Sequence, residues 1–146
     1  MAVQFNKRKE TTLLVIHCAA TRPTMDVGVR EIRQWHKQRG FLDVGYHLIV
    51  RRDGTVEKGR DLYQVGAHAK GFNANSVGIC LVGGVDDKLK PEDNFTPEQY
   101  VTLDKLVDQM VSTFPDLKRI VGHTNLDSGK ACPSFDAVAR YKHISL

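Results

Sequence analysis

"TTLLVIHCA" spans residues 11–19. The run is apolar and rich in β-branched residues, which predicts a central strand ending near His17. Downstream, "MDVGVREIRQWHKQRG" (25–40) predicts an amphipathic helix of about three turns. Asp26 is its expected cap, Val29, Ile32 and Trp35 or His36 its stripe, and Gly40 its stop. "YHLIVRRDGTVEKG" (46–59) reads as a hairpin, with Asp53-Gly54 supplying the chemistry of a tight two-residue turn. "SVGICLVGG" (76–84) is a second buried strand. After a polar loop, "FTPEQYVTLDKLVDQMVSTF" (95–114) opens with Thr96 as cap, Pro97 at the first helical position and Gln99 completing a capping box. Tyr100, Leu103, Leu106 or Val107, Met110 and Phe114 form its stripe, and Pro115 ends it. "LKRIVGH" (117–123) is a last strand and "FDAVARYKH" (135–143) a short terminal helix. Strands and helices alternate around one hairpin. The expected fold is α/β (α+β): a central mixed sheet flanked by about three helices, in one domain over residues 1–146.

Composition agrees with a globular chain. It has 146 residues, 41% hydrophobic and 26% charged, within the range of one domain with one core. No apolar run is long enough to span a bilayer, so no membrane insertion is expected. The N-terminus, "MAVQFNKRKE", is polar and lacks the apolar stretch of a secretory signal. Synthesis in a cytoplasm is therefore expected. Three cysteines, Cys18, Cys80 and Cys132, have no regular spacing, which argues against a disulfide framework. A net charge of +4 and a pI near 9.0 permit an acidic polymer as partner without requiring one.

Two predicted strands finish in histidine, at His17 and His123, and strand ends are where sites collect in such sheets. The loop "HTNLDSGKACPSF" (123–135) then carries Lys130 and Cys132. Two imidazoles and a thiolate suit zinc, and three protein ligands leave a fourth position open, as in catalytic sites. The residues alone leave a plainer reading open: two strand-end histidines and a loop thiol with no metal. His17 and Cys18 are adjacent in a strand and so point to opposite faces. Cys18 and Cys80 are expected in the core.

At this point the motifs resemble a family. "VIHCAAT" (15–21), "DVGYHLIVRRDGTVEKGRD" (43–61), "VGAHAKGFNANSVGICLVGG" (65–84), "FTPEQ" (95–99) and "KACPSFD" (130–136) occur in order. They are similar to the T7-type phage lysozymes, zinc N-acetylmuramoyl-L-alanine amidases related to peptidoglycan recognition proteins. The resemblance runs from about residue 12 to about residue 136 and implies a zinc site in a surface cleft. It places the zinc ligands on His17, His123 and Cys132, a catalytic tyrosine on Tyr46 and a catalytic lysine on Lys130. Departures fall in "LYQ" (62–64), "HTNLDSG" (123–129) and the C-terminal helix.

The expected function is that of a phage endolysin. It would hydrolyse the amide between N-acetylmuramic acid and L-alanine, starting from the host cytoplasm and reaching the periplasmic wall on release. A monomer is expected, with peptidoglycan as substrate and no direct nucleic-acid contact. His68, in the glycine-flanked "VGAHAKG" (65–71), is a candidate substrate-groove residue, whereas His47 and His36 read as structural or ordinary. Some T7-type lysozymes also inhibit the phage RNA polymerase, a partner the resemblance allows. Two other classes compete: a non-catalytic peptidoglycan-binding module, and a cysteine hydrolase using Cys132 with a histidine. A chelator separates the last from a zinc enzyme.

Overall fold

The computed structural model describes residues 6–146. Five strands form one mixed sheet: β1 (Leu13–Cys18), β2 (Leu48–Val50), β3 (Val56–Lys58), β4 (Ser76–Leu81) and β5 (Arg119–Gly122). Their order is β3-β2-β4-β1-β5. β1 pairs in parallel with β4 and β5, β2 runs parallel to β4, and β3 is antiparallel to β2 at the edge. The central strands β1 and β4 are buried at every position, which explains why they read as unbroken apolar runs.

Alternation along β1 sorts its side chains. Leu14, Ile16 and Cys18 join the larger core with α2 (Pro97–Thr113) and α3 (Ala137–Tyr141). Leu13 and Val15 lie on the other face with Val121. On that second face α1 (Val29–Gln38) packs Ile32 against Val44, Ile49, Cys80 and Val82. The sheet is thus covered on both sides, by α1 on one and α2 with α3 on the other.

α2 starts as its sequence predicts. Thr96 Oγ1 accepts from Gln99 N at 3.1 Å, and Thr96 N donates to Gln99 Oε1 at 3.0 Å. The fully buried Gln99 also donates to the carbonyls of Val50 and Val82, tying the helix start to the sheet.

Three expectations are corrected. Asp26 does not cap α1: Gly28 stands at the N-cap, its N–H donates to Glu31 Oε2 (3.0 Å), and Val29 N donates to Glu57 Oε1 (2.9 Å). Asp26 instead accepts from Arg51, at 3.1 Å. The hairpin loop has three residues rather than two. Gly54 N donates to Arg51 O and Arg51 N to Thr55 O, both at 2.8 Å. Gly54 at φ +88° occupies the left-handed position that closes such a loop. Tyr46 lies two residues before β2 rather than within it.

Candidate metal centre and its cleft

Parallel pairing assembles the site. β1 and β5 run side by side with Ile16 opposite Gly122, so the next residues, His17 and His123, emerge together at the C-terminal edge of the sheet. That edge is where open α/β sheets place ligands. His123 opens a 3₁₀ turn over His123–Asn125. The returning loop brings Cys132 back, held by a bond from Thr124 N to Cys132 O (2.8 Å) and another from Cys18 N to Cys132 Sγ (2.9 Å).

One donor atom from each of His17, His123 and Cys132 lies within 4.8 Å of the others. The His17 and His123 ring centroids are 4.6 Å apart. His17 is 1% exposed, while the other two are half-buried. Burial, then the neighbouring imidazoles, holds the His17 pKa well below its ordinary value; burial, then Lys130, lowers that of His123. Both rings are therefore neutral at pH 7 and keep a lone pair for a metal. The Cys132 thiol is pushed up by its hydrogen bond with the Cys18 thiol and by burial. A divalent cation offsets that cost by compensating the thiolate charge. Two neutral imidazoles and a thiol converging at the floor of a cleft fit zinc.

The cleft is about 750 Å³ and includes Tyr46, His68, His123, Lys130 and Cys132 in its lining. Tyr46 is half-buried, with its ring centroid 5.0 Å from that of His17. Burial first, then the Cys80, Cys132 and Cys18 thiols, pushes its phenol pKa well above ordinary. At neutral pH it stays protonated and keeps an O–H that can donate. Lys130 is exposed at the lip, in a turn closed by Lys130 N donating to Asp127 O (3.0 Å). All six residues singled out in the sequence thus meet in one place.

His68 lies at the floor, 8% exposed, with both ring nitrogens engaged: Nδ1 faces His17 Nε2 at 2.9 Å and Nε2 faces Ser76 Oγ at 3.2 Å. It keeps no free polar atom for a substrate. His47 is fully buried, its Nδ1 accepting from Gly78 N and its Nε2 donating to Gln64 O. His36, expected from the sequence to be an ordinary residue of the α1 stripe, has a place in the site. Its Nδ1 accepts from Gly45 N at 2.8 Å, just before Tyr46, and its ring lines the cleft 5.2 Å from that of Tyr46. The available signal was its place on the buried stripe of α1. Arg39 and Phe41 also line the cleft, without a motif to mark them, as does Lys70 from the "VGAHAKG" stretch.

Comparison with known proteins agrees with this geometry. The chain is 58% identical over 134 residues to the endolysin of Enterobacteria phage K11, covering 92% of this chain and 87% of the relative. It is 54% identical to the endolysin of Escherichia phage T7 over the same shares. Among solved structures, the endolysin N-acetylmuramoyl-L-alanine amidase LysCS from Clostridium intestinale URNW superposes with a TM-score of 0.81 at 26% identity. That match covers 97% of this chain and 90% of LysCS. The profile of the N-acetylmuramoyl-L-alanine amidases matches residues 7–135, and on that match the chain belongs to the N-acetylmuramoyl-L-alanine amidase family.

Proposed function

We propose that this protein is a zinc-dependent phage endolysin that hydrolyses the amide between N-acetylmuramic acid and L-alanine. The observation that carries the reading is the convergence of His17, His123 and Cys132 at the floor of a cleft that also holds Tyr46 and Lys130. When bound, zinc supplies a water whose pKa is lowered to about 7 and a Lewis acid for the carbonyl.

The chain's own groups do the rest. His17, His123 and Cys132 are the residues that would hold the ion. Amide hydrolysis builds negative charge on the carbonyl oxygen and leaves an amine that needs a proton. The Lys130 ammonium, free to reach inward from the lip, stabilises that oxygen. The Tyr46 phenol, kept protonated by burial, donates a hydrogen bond into the same space and is placed to pass a proton toward the leaving nitrogen. His36, through Gly45, fixes the backbone that presents Tyr46.

The two rival readings fare worse. A binding module has no use for a metal triad, a buried phenol and a lysine at one point. A cysteine nucleophile needs a lowered pKa, whereas the Cys132 thiol is pushed up.

The test is to digest purified walls and identify the new ends. Amide cleavage is expected to release stem peptides with free N-terminal alanine and no new reducing sugars. New reducing ends, or no release, would contradict the reading. We place synthesis in the host cytoplasm and action on the wall after release. Binding of the phage RNA polymerase is proposed on the resemblance to T7-type lysozymes, at a surface apart from the cleft. A pull-down with the cognate polymerase should succeed equally with Cys132→Ser. Absence of a complex at low salt would remove that role.

A further inference from the structure

We infer that Ser76 and His68 form a relay that fixes the tautomer and ring plane of His17, so that His17 offers Nδ1 to the metal. His68 is then a positioning residue rather than a substrate contact. The inference rests on the proposed role of His17 as a ligand.

Ser76 Oγ lies 2.7 Å from Phe72 O. A carbonyl cannot donate, so the single hydroxyl hydrogen of Ser76 points to it. Toward His68 Nε2, 3.2 Å away, the Ser76 oxygen can then only accept. His68 Nε2 therefore carries a hydrogen, and in the neutral ring the lone pair is on Nδ1. Nδ1 faces His17 Nε2 at 2.9 Å, which must donate. The lone pair of His17 is left on Nδ1. A cationic His68 would break this order, but its ring is 8% exposed with the imidazoles of His17 and His47 at 4.9 and 5.6 Å. Charge is disfavoured there.

The relay is held rigidly. Ser76 is fully buried at the start of β4. Asn73 Oδ1 accepts from both His68 N and Ala69 N at 2.9 Å, pinning the backbone that carries the ring. The ring lies over Gly78, where an added Cβ would come within 2.6 Å of His68 Cγ. The His17 and His68 planes meet at 89°. Outer partners of this kind typically contribute about ten- to a hundred-fold to metal affinity.

Long-range proton–nitrogen NMR on the metal-free protein reads the tautomers directly. Both His17 and His68 are expected to show a protonated Nε2 and a bare Nδ1. Ser76→Ala takes the acceptor from the buried His68 Nε2 and the donor from Phe72 O, so it should lower the melting temperature while the protein stays folded, and His17 should become a tautomer mixture. In competition with a chromophoric chelator, His68→Phe should bind zinc about ten- to a hundred-fold more weakly. His68→Asn, which can keep an acceptor near the Nδ1 position, should recover part of the loss. A protonated Nδ1 on His17, or wild-type zinc affinity in His68→Phe, would overturn the relay. The spectra need no metal, so a wild-type protein with these tautomers but no zinc would contradict the metal site and leave the relay standing.

Discussion

Tyr46 and Lys130 separate metal binding from chemistry. Neither belongs to the triad of donors: Tyr46 is half-buried against the α1-side core and Lys130 is exposed. Lys130→Ala should therefore keep zinc content and melting temperature while the wall-hydrolysis rate falls about a hundred- to a thousand-fold, the usual effect of losing one donor to a developing oxyanion. Tyr46→Phe keeps the ring against His17 and removes the hydroxyl. It should lower the rate roughly a hundred-fold or more. Cys132→Ser should lose zinc and activity together, since a neutral hydroxyl replaces a soft thiolate. Zinc stoichiometry, melting curves and peptide release measured in parallel decide these assignments. Unchanged rates in both Tyr46 and Lys130 variants would refute their roles.

The link between α2 and the sheet sets how firmly the frame is held. Thr96→Ala removes the cap bond from Gln99 N and the part-buried bond to Arg52 O, and should cost about 1–2 kcal/mol. Gln99→Ala removes the reciprocal half of the capping box and also leaves the Val50 and Val82 carbonyls without its amide, in a fully buried position. It should cost more, on the order of 2–4 kcal/mol. Urea unfolding of both variants checks the order; equal losses would show that the buried amide contributes nothing. β1, β4 and α2 were legible because burial on two faces writes an apolar run and because the capping box is local. The start of α1 was not: Glu57, from β3, accepts from Val29 N, while Asp26 turns to Arg51. The site divides the same way. His17 and His123 were visible as strand ends. The roles of His68 and His36 depend on partners, Ser76 with His17 and Gly45, that their own surroundings in the sequence do not name.

Across the whole molecule, buried histidines make the fold sensitive to acid. Burial first, then nearby arginines, lowers His36 to about 4; His47 is also lowered to about 4, mainly by burial. In the unfolded chain both titrate near 6.5. Between those values the unfolded state binds protons that the folded state refuses. The stability they contribute is complete above about pH 6.5 and is lost as pH falls toward 4. At about 1.4 kcal/mol per unit the loss is on the order of 3 kcal/mol for the buried His47 and smaller for His36, whose ring lines the cleft. Metal-free protein unfolded by denaturant at several pH values should show this slope, and His47→Gln should flatten it. A flat profile from pH 7 to pH 4.5 would contradict the burial of neutral imidazoles. Under acid, protons should also begin to compete with the ion for His17 and His123, adding to the loss in the zinc-loaded protein.

The most direct measurement removes and restores the metal. Protein purified without chelator is analysed for zinc, stripped, and titrated back with zinc while release of N-terminal alanine from purified walls is followed. About one zinc per chain is expected at the start, with activity lost on stripping and regained linearly until one equivalent per chain has been added. Full hydrolysis by the stripped protein, or recovery that takes no account of the His17, His123 and Cys132 site by proceeding equally in Cys132→Ser, would contradict it.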